Sequence, residues 1–216
     1  MSALQPGRRI LRYDMRGFGL SEKVHGDTLS MDDEVEDLRG LLDALKFTGP
    51  VTLIGGAVGA DVALNFAVKY PERVKAVLTI SAAINLKPNQ NPLPRADRPR
   101  PVDPYEVPYP MALRTDKDRF DRFVAIQVAN DQHSFDVTSR MVATFDFTDV
   151  LPKVKPPTLV IGTSLFPART MEMMNGIAKA MQNGTFVELK TGHYASWETP
   201  EMVAPVLVDY LKKVGG

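Results

Sequence analysis

The chain has 216 residues (23.9 kDa), 44% hydrophobic and 24% charged, with lysine plus arginine equal to aspartate plus glutamate at 26 each and a pI of about 6.8. That length suits one globular domain with room for an inserted segment, and the balanced charge gives no whole-chain field that would draw the protein to nucleic acid or an anionic membrane. The absence of cysteine excludes disulfides, thiolate nucleophiles and cysteine-bound zinc and suits a reducing compartment. No stretch reaches the roughly 18 apolar residues of a membrane span, and MSALQPGRRILRYD lacks the apolar run of a signal peptide, so a cytoplasmic protein is expected.

In chain order, Arg8 to Asp14 (RRILRYD) reads as a short strand ending in a turn, MRGFG, whose glycines permit a tight reversal. Ser30 with Asp33 makes a capping-box-like helix start. Met31, Val35, Leu38, Leu41, Leu42 and Leu45 then recur at the spacing of one buried helical face, and Gly49 and Pro50 stop it. Val51 to Ile54 is an apolar strand, GGAVG a glycine-rich turn, Val58 to Tyr70 a helix closed by Pro71, and Val74 to Ser81 a third strand. The stretch Leu86 to Pro110 is crowded with prolines and charges, and Arg119 to Met141 is weakly helical. Regular alternation resumes with strand Pro157 to Gly162, helix Met171 to Met181, strand Thr185 to Lys190 and helix Pro200 to Lys213. Strands alternating with helices predict an α/β fold with a mostly parallel, doubly wound sheet. The expected division is a single domain in three parts: a first half of the core at 1–84, an inserted lid at 85–148 and a second half at 149–216.

The turn at TLIGGAVGADVAL carries the functional question. A strand that delivers Gly55, Gly56, Ala57, Val58 and Gly59 into a helix has the layout of a nucleophile elbow, in which small flanking residues let the backbone pass close to its neighbours and expose the central side chain. A dinucleotide-binding turn fits less well, because GGAVGA lacks the GxGxxG spacing and no acidic residue ends the next strand. YDMRGFGLS, LIGGAVGADVALNFAVKYPERVKAVLTIS, LPKVKPPTLVIG and TGHYASWETPE, in that order, resemble the α/β-hydrolase fold family. The similarity is strongest to its lactonase and esterase branch, which includes 3-oxoadipate enol-lactonases; it is dense over 8–84 and 149–213 and weak over 85–148.

The resemblance implies a serine nucleophile at the elbow, an acid after a later strand and a histidine near the C-terminus. These positions fall on Ala57, on or near Leu165 in GTSLFP, and on His193. Only the histidine is present. Val58 is expected to supply one oxyanion N–H, while Gly56, Ser164 and Phe166 are expected beside the ligand. The second oxyanion N–H of the family comes from a loop after an earlier strand, and the seven residues before Arg8 cannot hold that strand, so a core lacking its first strands is expected. One of the family's missing strands lies between those matching 8–13 and 51–54. Strand 8–13 should therefore pair directly with 51–54, or a second copy should complete the sheet as a homodimer through the N-terminal edge, or the chain is a piece of something larger.

Simpler roles suit other residues. His25 and His133 have no partners at metal-ligand spacing and suit the surface or the lid, and no metal or cofactor is expected. Glu198 and Glu201 suit the positive end of the last helix, Asp14 and Arg16 the support of their turn, and Met171, Met173 and Met174 helix packing. Arg95, Arg98 and Arg100 lie among prolines and acids as in a solvated loop.

Three readings follow: an ester- or lactone-hydrolase relative that is inactive or weakly active because alanine stands at the nucleophile position, a non-catalytic small-molecule binder or regulator, and a cofactor-free lyase or decarboxylase using His193. An engineered serine-to-alanine change at 57 is a further explanation of that position. The expected ligand is small and apolar, or ester- or lactone-like.

Overall fold

The computed structural model describes residues 4, 7–86 and 116–215. The chain order is α1 (Met31–Ala44), β1 (Val51–Gly56), α2 (Val58–Lys69), β2 (Val74–Ile80), α3 (Lys117–Ala129), α4 (Gln132–Thr144), β3 (Thr158–Thr163), α5 (Met171–Ala180), β4 (Gly184–Leu189), α6 (Ala195–Glu198) and α7 (Pro200–Lys213). The strands form one parallel sheet in the order β1-β2-β3-β4.

Residue alternation explains the layers. Along β2 and β3, Val77 and Val160 pack with α1, α2 and α5 on one face, while Leu78, Ile80, Leu159 and Ile161 pack with α7 on the other. Each strand thus sends side chains to both faces with period two. The two central strands are almost wholly buried and read as continuous apolar runs, as covered parallel strands do. The Ser30 capping box forms as expected: Ser30 Oγ accepts the Asp33 N–H at 3.1 Å, and Asp33 accepts the Ser30 N–H at 2.9 Å. Met31, Val35, Leu38 and Leu42 bury their side of α1, whereas Leu45 is 39% exposed beyond its end. Met174 is fully buried, and Met171 and Met173 pack beside it.

The expected strand Arg8 to Asp14 is not formed: residues 8–15 have no regular secondary structure, and β1 pairs only with β2 among the described residues. Side chains hold this segment instead of a backbone ladder. The Arg9 guanidinium lies 3.9 Å from the Phe47 ring centroid and donates to Leu45 O at 2.8 Å, and Leu11 packs on the core. Alternation in RRILRYD is a strand signal only when a neighbour offers its N–H and C=O groups. The turn that follows is built as read: Asp14 accepts the Leu20 N–H at 3.1 Å, and Arg16 pairs with Asp37.

In the 85–148 stretch, α3 and α4 are separate helices, divided where Asp131 caps α4 by accepting the Ser134 N–H at 2.8 Å. α4 packs on the N-terminal turn through Phe18 and Phe135, and Ser134 accepts the Val24 N–H at 3.0 Å. The proline-rich stretch beyond Leu86, with Arg95, Arg98 and Arg100, lies outside the described residues.

Candidate functional site

The sharp step from β1 into α2 sits at the carboxyl edge of the sheet. Gly55 is required there, since a Cβ on it would lie 2.2 Å from Gly59 O. Ala57 follows with φ 46° and ψ −120°, a conformation that a residue with a Cβ rarely adopts. Its N–H donates to Ile80 O at 3.0 Å, extending the β1–β2 ladder by one residue. Val58 opens α2, where the first backbone N–H groups have no partner within the helix and can face an oxyanion.

β2 ends beside this elbow, with Gly56 paired to Ile80, so Ser81 is the next residue on the adjacent strand. Ser81 also has a positive φ, 49°, and its N–H donates to Ile161 O at 3.0 Å. Its hydroxyl lies 2.9 Å from His193 Nδ1, and Thr163 Oγ1 at the end of β3 donates to Ser81 Oγ at 3.1 Å. The histidine expected from sequence therefore reaches the carboxyl edge one strand away from Ala57.

The loop carrying His193 is braced from below. Tyr194 N–H donates to Glu198 Oε1 at 3.0 Å, Thr199 Oγ1 to Thr191 Oγ1 at 2.7 Å, and a Cβ on Gly192 would meet the Glu198 carboxylate at 2.4 Å. Glu198, expected to serve the helix dipole, thus also holds the histidine loop. Burial raises its pKa, and the Tyr194 and Gly192 N–H groups oppose the rise. Phe123 on α3 packs edge-on against Tyr194 at 4.6 Å and Trp197 at 5.9 Å. Phe166 lies 4.4 Å from the imidazole, centroid to centroid. Burial, with the nearby Arg169 cation second, holds the His193 pKa below its ordinary value, so the ring is neutral at pH 7.

Around the expected acid position, Leu165 N–H donates to Thr191 O and Ser164 N–H to Leu189 O, both at 3.0 Å, which ties this loop to the histidine loop. The Leu165 side chain is 58% exposed and carries no charge to orient an imidazolium. Ser164 Oγ is spent on Leu189 O at 3.4 Å. His25 and His133 are exposed, and His133 Nε2 lies 3.1 Å from Gly26 O. No cluster of three or more histidine, aspartate or glutamate side chains suited to a metal occurs among the described residues. A cleft between α1 and α2 is lined by Met31, Val35, Asn65 and Val68 and by the paired Asp32 and Lys69; none of the expected site residues borders it.

Sequence reasoning missed two polar groups here. Ser81 could have been noticed as a hydroxyl at the carboxyl end of the strand beside the elbow, the edge where open α/β sheets bind ligands. Asp61 could have been noticed as a lone acid in the apolar run VGADVALNF. Asp61 is fully buried, and its Oδ1 accepts the Ala83 N–H at 3.2 Å. Its Oδ2 has no partner among the described residues, and burial raises its pKa well above the ordinary range.

A parallel sheet covered on both faces, a strained strand-to-helix elbow and a histidine loop at the same carboxyl edge define a hydrolase-type α/β protein. Residues 4–102 match the family described as serine aminopeptidase, S33. A 2-hydroxy-6-oxo-2,4-heptadienoate hydrolase of Pseudomonas putida is 35% identical over 82 residues, which cover 38% of this chain and 29% of the relative's length. An esterase from Thermogutta terrifontis superposes with a TM-score of 0.79 at 26% identity, covering 93% of this chain and 78% of that one. The enol-lactonase of Burkholderia xenovorans shares the fold with a TM-score of 0.81 at 22% identity, covering 93% and 80%. The chain has an α/β-hydrolase-like fold and is similar to ester, lactone and C–C hydrolases.

Proposed function

We propose that this chain keeps the ligand pocket of an ester- or lactone-hydrolase relative but hydrolyses such substrates slowly or not at all. One observation carries the reading: the apex of the elbow retains the strained backbone that aims a nucleophile, and the side chain there is the methyl group of Ala57. Covalent catalysis needs an atom that attacks and a base that takes its proton. Ala57 has no attacking atom, and exposed Leu165 has no charge with which to stabilise the imidazolium that would form on His193. Val58 keeps its role as a donor to a ligand oxygen, and Gly56, Ser164 and Phe166 keep theirs as its surroundings. The insertion 85–148 acts as a lid, a reading supported by the packing of Phe123 on Tyr194 and Trp197.

A binding or regulatory role is the second reading. It is favoured by the hydroxyl partner of His193, which carries no charge with which to drive proton transfer. Hydrolysis of p-nitrophenyl acetate and γ-butyrolactone, with mass spectrometry of small molecules retained on purification, tests the proposal. Rates at the buffer background are expected. Turnover at about 1 s⁻¹ or faster, the low end of typical enzymes, would contradict it. A retained intact ester or lactone would favour a blocked hydrolase, and a retained stable acid a binder.

A further inference from the structure

We propose that Thr163 and Ser81 fix His193 as its Nε2–H tautomer, so that the imidazole offers the pocket a hydrogen-bond donor instead of a base. The inference rests on the reading that the pocket is kept while hydrolysis is lost, and it assigns His193 a task within that reading.

The direction of the hydrogen bonds follows from counting protons. A hydroxyl has one hydrogen to give and two lone pairs with which to accept. Thr163 is fully buried, and among the described residues its Oγ1 has one partner, Ser81 Oγ at 3.1 Å. If Thr163 donates there, its hydrogen is satisfied, and the Ser81 hydrogen is free to go to His193 Nδ1 at 2.9 Å. The chain then runs Thr163 O–H to Ser81 O–H to Nδ1, and every hydrogen has an acceptor. In the reverse direction Nδ1–H would donate to Ser81, Ser81 to Thr163, and the Thr163 hydrogen would be stranded at a fully buried position. A stranded donor costs more than an unused lone pair.

The backbone fixes the geometry of this relay. Ser81 is 1% exposed, its N–H is held by Ile161 O, and its positive φ is retained in a residue with a Cβ. Such strain persists where the surroundings over-determine it, and it concentrates at functional sites. Phe166 and Tyr194 pack on the imidazole and keep its ring in place. Since burial and Arg169 keep the ring neutral, it carries one hydrogen, and with Nδ1 accepting that hydrogen is on Nε2.

The consequence is an inversion. In a serine-histidine-acid site, Nδ1–H donates to the acid and the Nε2 lone pair takes the nucleophile's proton. Placing the neutral ring in the wrong tautomer costs about 10⁴ in rate. Here Nε2 presents its hydrogen, which suits a carbonyl or carboxylate oxygen of a ligand. Ser81 and Thr163 are accordingly positioning residues acting through His193.

Long-range ¹H–¹⁵N correlation spectra of the ¹⁵N-labelled full chain at pH 7 read the tautomer directly, and His193→Gln identifies the ring by the signals it removes. The expected result is an unprotonated Nδ1 and a protonated Nε2. Thr163→Val should raise the Nδ1–H population, because Ser81 then loses the donor that sets its direction, and Ser81→Ala should raise it too. A wild-type ring protonated at Nδ1, or a tautomer ratio unmoved in both folded variants, would overturn the proposal. The wild-type spectrum decides even if a variant fails to fold. The measurement is independent of catalysis, so a negative result here would leave the hydrolysis test of the preceding section standing.

Discussion

At Ala57 the cost of the elbow can be measured apart from its chemistry. A non-glycine residue at φ 46°, ψ −120° stores about 1–3 kcal/mol of strain, while a glycine costs about 0.5–1 kcal/mol through the freedom it has in the unfolded chain. Ala57→Gly is therefore expected to leave stability unchanged or raise it by up to about 2 kcal/mol in denaturant titration; a loss above about 1 kcal/mol would show that the apex is not strained. Glu34 gives the pH dependence. It is fully buried, and burial first, then the negative charge of Asp37, push its pKa up to about 7 from 4.5. The folded state holds this proton where the unfolded state has released it. Stability should fall as pH rises from about 4.5 to about 7 and then level off, by about 3 kcal/mol in all at 1.36 kcal/mol per pKa unit. Glu34→Gln should flatten that slope in thermal melts across the window. His193 has the opposite sign: its lowered pKa removes stability as pH falls below about 6.5, where the unfolded ring takes a proton that the folded one resists.

Elements with strong local signals were legible from sequence. The bounds of α2, α5, α7, β2 and β3 lie within about a residue of the expected ones, since glycine and proline punctuation and apolar period act locally. Arg8 to Asp14 carries a strand signal in sequence and forms none in the fold, because a strand is a property of two segments and the second is not beside it. The site was half legible. Ala57 and His193 follow from ordered motifs, but the Ser81–His193 contact joins residues 112 apart in sequence, and a serine closing an apolar strand carries no local mark of such a partner. Sequence alone gives Glu198 a place at its helix and no more, since only the folded loop brings the Tyr194 N–H onto its carboxylate.

On the scale of the whole molecule, one side of the sheet is unpaired among the described residues. Among the described residues β1 has no neighbour beyond β2, and Ile54 on it is 40% exposed. A bare, apolar edge strand is a template for another strand, so association of two copies through β1 is expected at micromolar concentration in sedimentation velocity. Ile54→Lys should shift the population toward monomer. A parent chain that stays monomeric throughout that range would contradict this expectation.

On the proposed reading the site has lost its working parts as a group, and Ala57 is only one of them. Burst and steady-state hydrolysis of p-nitrophenyl acetate by the parent, Ala57→Ser and Ala57→Ser with Leu165→Asp tests this most directly. Loss of an orienting acid costs about 10⁴ in rate, and losses among groups that act as a unit do not add. The serine variant should stay near the parent's rate, held back further by the Nε2–H of His193. The double variant should exceed both and still fall far short of about 1 s⁻¹, the low end of typical enzymes. Robust turnover by Ala57→Ser alone would contradict the account and make this a complete hydrolase lacking one atom.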